Sequence, residues 1–163
     1  MADITMLLNT TLTSGTYTGD YAWSSSDNWP GDTLPTASDN VFLPNATSST
    51  AYQAVSDIAS MEIDDLAVGS FCRFFVAENS SLTVGSVTQI NGTIQVDPGA
   101  ELIVSEGGTI ASSDFGTYDL FGGTLIAPGG LSGTLGGIFN LTARCSLAAT
   151  TPVQPSISRR WVA

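Results

Sequence analysis

The stretch that decides the fold runs from Gly92 to Leu125 and repeats one short phrase. It reads Gly92-Thr93-Ile94, Gly108-Thr109-Ile110, Gly116-Thr117-Tyr118 and Gly123-Thr124-Leu125, with a further copy at Gly133-Thr134-Leu135. Glycine tolerates backbone angles that other residues avoid and makes a natural corner. A threonine followed by an apolar residue favours a pleated, half-buried strand. The apolar centres Ile94, Leu102, Ile110 and Tyr118 stand eight residues apart, and the next step, to Leu125, is seven. Three such steps close a coil of about two dozen residues, a common repeat size for stacked β-coils. The pattern predicts an all-β chain built as a β-solenoid, each coil burying its inward Ile, Leu and Val against the coils above and below. The alternative is a β-sandwich, whose strands pair by hairpins with turn signals about 8–12 residues apart.

The same writing extends in both directions. Strands are expected at Val41–Leu43, Tyr52–Val55, Ser60–Val68, Phe71–Val76, Ser81–Val84, Val87–Ile90, Thr93–Val96 and Glu101–Val104. They continue at Thr109–Ala111, Thr117–Phe121, Thr124–Ala127, Thr134–Leu135 and Ile138–Leu141, with one or two more before residue 22. Ser56–Leu66 is the best helix candidate, but its apolar spacing is loose and a turn followed by a strand fits better. Residues 21–40 are rich in aromatic and turn-forming side chains, with Pro-Gly and Asx punctuation that marks a loop. These features divide the chain into a solenoid domain, residues 1–141, which includes the aromatic segment 21–40 as an N-terminal cap, and a basic tail, residues 142–163.

Composition narrows the function. The chain of 163 residues carries 15 carboxylates against four arginines, no lysine and no histidine, for a net charge of −11. Such a surface repels phosphate backbones and anionic membranes, so neither nucleic acid nor membrane insertion is expected as a partner. All the acids precede residue 144, where Arg73 is the single base, while Arg144, Arg159 and Arg160 follow without an acid. A basic tail on an acidic body suggests docking on the same or a neighbouring subunit. Trp161 would be its anchor, with Arg159 and Arg160 pairing with carboxylates.

Trp23, Asn28-Trp29, Gly31, Pro35 and Asp39-Asn40-Val41 form the most distinctive cluster outside the repeats. Buried indoles in a cap are one reading. The other is a sugar platform, in which Trp23 and Trp29 stack on pyranose rings while nearby Asp and Asn bond the hydroxyls. Asp27, Asp32 and Asp39 in this loop have the oxygen chemistry of a calcium site, though no known calcium-loop spacing is present, and no other cofactor is indicated. Cys72 and Cys145 would pair as a disulfide outside the cell, while Cys72 alone also suits a buried strand position.

The Trp23-to-Val41 cluster, with later phrases such as Leu82-Thr83-Val84 and Leu102-Ile103-Val104, resembles bacterial surface proteins with a β-helical passenger, the autotransporter and haemagglutinin-like adhesins. The resemblance spans roughly residues 20–127. It implies a right-handed parallel β-helix, an extracellular or cell-surface address, and an adhesive or scaffolding role. The chain departs from that pattern in being short, with no basic signal region at its start and no membrane-barrel domain. Cys145-Ser-Leu-Ala-Ala-Thr150 resembles the opening of self-processing Hint domains, but Ala149 stands where glycine is usual and no histidine exists to assist an acyl shift.

Without histidine or lysine, a Ser-His-Asp triad, a lysine Schiff base and a P-loop are all impossible. Paired carboxylates for glycoside hydrolysis lie in no distinctive motif. The expectation is therefore a non-catalytic extracellular structural protein, either a self-assembling filament subunit or an adhesin module, with a homo-oligomer or fibre as its assembled form. The rival class is a carbohydrate-binding module or β-helical glycan-acting enzyme with a surface glycan as partner, and a virion tail-spike component shares the adhesin's sequence signature.

Overall fold

The computed structural model describes residues 2–7, 20–47, 51–105, 107–110, 116–128 and 138–141. Their strands are β1 (Asp3–Thr5), β2 (Asp20–Ala22), β3 (Asn40–Leu43), β4 (Tyr52–Ser56), β5 (Ser60–Val68) and β6 (Cys72–Val76). They continue as β7 (Ser81–Ile90), β8 (Thr93–Val96), β9 (Glu101–Val104), β10 (Thr117–Leu120), β11 (Thr124–Ile126) and β12 (Ile138–Leu141). Two short 3-10 turns, Ser26–Asn28 and Pro30–Asp32, lie between β2 and β3. Odd-numbered strands form one sheet and even-numbered strands the other, each in chain order. All the strand pairs are parallel. The chain therefore winds, laying down one strand per sheet on each circuit, and forms a parallel β-solenoid. Parallel pairing throughout removes the sandwich alternative, whose hairpins require antiparallel neighbours.

The odd-numbered sheet bends into two faces. In β5 burial alternates through Met61 and Ile63, slips at the adjacent Asp64 and Asp65, and resumes at Leu66 and Val68. Its first half pairs with residues 81–84 of β7, and its second half pairs with β3 on one side and residues 86–90 on the other. Strand β9 continues only the first face, and Ile110 continues the second through a parallel bridge to Val87. With the even-numbered sheet this makes three faces per coil. Ile94 stands opposite Tyr118 in the β8–β10 pair, a full circuit of 24 residues, and Leu102 stands opposite Leu125 in the β9–β11 pair. The eight-residue spacing in the sequence is one face of this triangular path.

One part of the glycine reading needs correction. Gly92, Gly108 and Gly123, which open Gly-Thr phrases, serve close backbone approach rather than unusual angles. A Cβ on Gly92 would lie 2.3 Å from the Cys72 carbonyl oxygen, and one on Gly108 would lie 1.8 Å from that of Gly85. The positive φ angles belong to the residues just before two of these glycines, Gly107 at 82° and Gly122 at 84°. In each Gly-Gly pair the first residue turns the chain and the second lets neighbouring coils touch.

The interior is a set of apolar ladders running along the solenoid axis. One climbs through Met61, Leu82, Leu102 and Leu125, another through Val41, Leu66 and Val87 to Ile110, and all are at least nine-tenths buried. Burial of each such side chain is worth about 1.5–3 kcal/mol, which is how a chain with so few basic residues to pair its acids holds together. At the N-terminal end the segment between β2 and β3 replaces a strand with the two 3-10 turns and inserts Trp23 and Trp29, both fully buried. Their rings meet edge to face at 5.4 Å and 87°, and the Trp29 indole N–H donates to the Trp23 carbonyl at 3.0 Å. In the even-numbered sheet the inward row runs Tyr21, Ala54, Phe74. The small Ala54 leaves room for Trp23 to lie on Phe74, ring centres 5.0 Å apart. This is the expected N-terminal aromatic cap.

Candidate functional site

The two tryptophans offer no sugar platform. Both indoles are enclosed by protein, so the carbohydrate reading of Trp23 and Trp29 gives way to the structural one. The structure does not bring together the three carboxylates of the calcium reading. Asp27 and Asp32 are exposed, and Asp39 is buried and committed to Thr36. The Asp39 carboxylate accepts from the Thr36 backbone N–H at 2.9 Å and from its hydroxyl at 2.7 Å, closing the Thr36–Asp39 turn. These hydrogen bonds hold its carboxyl below the usual carboxylate range. Among the described residues no three Asp, Glu or Cys side chains gather closely enough to hold a metal ion.

Cys72 is a free thiol, buried on the inward side of β6 beside Tyr52. Burial pushes it up to about 12, the range of an inert small hydrophobe rather than a nucleophile. Tyr52, whose hydroxyl donates to the Pro44 carbonyl at 2.8 Å, is likewise pushed upward by burial. Cys145, the proposed disulfide partner, lies outside the described residues, as do Arg159, Arg160 and Trp161 of the docking tail.

A different set of residues comes together on the outer surface of the even-numbered sheet. Arg73 of β6, Thr93 of β8 and Thr117 of β10 occupy one outward row, in register across three coils. Gln95 and Asp119 occupy the next outward row. Beside them, at the corner entering β6, Phe71 is 53% exposed and adopts a φ of 58°. Phe71, Arg73, Thr93, Thr117 and Asp119, with Asn91 of the following coil, line a groove of about 680 Å³. Such a volume lies within the range of sites for small ligands.

The guanidinium in this groove is held in place. Arg73 Nη2 donates to Gln95 Oε1 at 2.9 Å, and Gln95 Nε2 donates to Asp97 Oδ1 at 2.6 Å. Its Cζ lies over the Phe75 ring, 5.2 Å from the centre, a cation–π contact. Arg73 is the only basic side chain among the described residues. Outward positions alternate with inward ones along each strand, so this surface was readable once the strands were placed. The 24-residue step from Thr93 to Thr117 is three of the eight-residue phrases, but the 20-residue step that aligns Arg73 with Thr93 had to come from the fold, because it is not a multiple of that spacing.

A smaller hollow on the odd-numbered sheet is lined by Asp3, Asn40 and Asp65 in one row, with Thr5, Phe42 and Ala67 in the next. Asn40 Nδ2 donates to Asp3 Oδ1 at 2.7 Å. A bulge between Leu66 and Ala67 leaves Thr88 unpaired in the register, and its hydroxyl donates to Asp65 Oδ2 at 2.9 Å. Desolvation raises the Asp65 carboxyl above its ordinary range. The polar groups of this hollow are spent largely on one another.

No protein-family model, curated protein or solved structure matches this chain.

Proposed function

We propose that the chain is a non-catalytic extracellular structural protein, a filament subunit or adhesin module, whose stacked coils provide length and whose end coil recruits another copy. The observation that carries this reading is the in-register continuation of both sheets. Each circuit adds one strand to each sheet, and among the described residues β11 and β12 are hydrogen-bonded on one side only. A strand with an unpaired edge is a template for another chain. The two ends differ, because the N-terminal end of the core is filled by Trp23 and Trp29. Association of one end with the other of a second copy is heterologous, and such contacts generate open fibres when no rotation closes them.

The likeness of the Trp23-to-Val41 cluster to surface adhesins supports the extracellular address. The acidic surface keeps single subunits apart in solution, and the three arginines after residue 143 supply the complementary charge for docking. Electron microscopy of the purified chain, with sedimentation velocity over a range of concentrations, tests the reading. Regular fibres or concentration-dependent oligomers are expected, and deletion of residues 156–163 should shift them toward monomers. Monomers at every concentration would overturn it.

A further inference from the structure

We infer that the groove on the outer face of the even-numbered sheet binds an uncharged oligosaccharide, with Phe71 as its stacking platform. The inference goes beyond the assembly reading and does not rest on it, because it concerns a sheet face and not the solenoid ends. Its starting point is Phe71. A bulky aromatic residue with φ near 58° is a genuine outlier, and more than half of its surface is open to solvent. The fold gains little from it there. The matching corner one coil later carries Asn91, and one coil earlier Ala51, so the solenoid turns this corner without an aromatic ring. Strained residues of this kind concentrate where a ligand is held.

The surrounding chemistry names the ligand. An aromatic face suits the C–H face of a pyranose ring. Arg73 offers donors, Asp119 offers acceptors, and Asn91, Thr93 and Thr117 offer both, which is the mixture that hydroxyl groups need. Successive rungs lie about 4.8 Å apart, so the row from Arg73 to Thr117 spans about 10 Å, the length of two linked rings. An Asp119 carboxylate within the groove and a net charge of −11 disfavour a polyanionic glycan. The occupant is a neutral sugar chain lying along the solenoid axis.

The test is amide-shift mapping by NMR of the full chain with maltotriose, cellotriose, chitotriose and a galacturonic acid trimer. Each sugar is added at about 5 mM, enough to occupy a millimolar site. At least one neutral trimer should shift the amides of residues 71–73, 91–93 and 117–119. Phe71→Gly should weaken that binding at least tenfold while raising the melting temperature, because the backbone strain is relieved. Asp119→Asn should weaken it several-fold without changing the melting temperature. Absence of groove shifts with all three neutral trimers would overturn the inference. So would binding of the acidic trimer alone, or neutral-sugar binding that Phe71→Gly leaves intact.

Discussion

Asn79 and Gly99 occupy the same corner of successive coils, 20 residues apart, and both adopt left-handed backbone angles, φ 60° and 74°. Each follows the end of an even-numbered strand, and each corner is closed by a turn hydrogen bond, Ser80 N–H to Ala77 and Ala100 N–H to Asp97. A Cβ on Gly99 would sit 3.2 Å from Asn79 Oδ1, an exposed side chain that can turn away. The corner thus selects by backbone conformation more than by space. Asn79→Gly should change stability by no more than about 0.5 kcal/mol, whereas Asn79→Val and Gly99→Val should each cost about 2 kcal/mol. Urea denaturation of the three variants measures the difference.

Gly107 and Gly108 test the two separate uses of glycine. Gly107 has φ 82° with open space around its Cβ position, while Gly108 has no room for a Cβ at all. Gly107→Ala should cost about 1–2 kcal/mol from backbone strain. Gly108→Ala must push two coils apart and should cost about 3 kcal/mol or more. Equal losses at the two positions, read from thermal unfolding, would contradict this division of labour.

Asp39 and Asp65 give opposite pH dependences. The Asp39 carboxyl is lowered by the Thr36 hydrogen bonds, so its contribution is present above the unfolded value of 3.8 and is lost as pH falls through the folded one. The Asp65 carboxyl is raised by desolvation, so its contribution is full below 3.8 and is lost as pH rises through the folded value. Asp39→Asn should therefore be less stable than the parent at neutral pH, with the gap closing in acid. Asp65→Asn should be at least as stable as the parent at neutral pH, and its relative advantage should disappear in acid. Melting temperatures of parent and variants across the acid range check both signs.

Cys72 should be silent to thiol reagents. In a Cys145→Ser variant, Ellman's reagent at about pH 8 should react at least ~100-fold more slowly with the folded chain than with the chain in denaturant. Comparable rates in the two states would show that the thiol is accessible.

The strands of the solenoid were legible because each is short, alternates at a period of two and is bounded by glycine or a turn. Ser60–Val68, Thr93–Val96, Glu101–Val104 and Ile138–Leu141 occur with the bounds their composition implies. Residues 81–84 and 87–90 read as two strands but form one bent strand, since pattern shows the slip in phase at Gly85 and Ser86 but not the continuity of the backbone across it. The aromatic cap was legible as a cluster, but whether its indoles face a ligand or the core was not. That depended on the vacancy above Phe74 left by Ala54, a relation between residues 20 positions apart.

By itself the amino-acid order determined the class of architecture, because a repeat of corner and half-buried strand leaves stacked coils as the way to bury every inward side chain. Tertiary structure alone decided which outward residues became neighbours. Coil lengths vary between rungs, so only the parallel register brings Arg73, Thr93 and Thr117 into one row beside Phe71. A groove is a property of that register, and local sequence does not encode it.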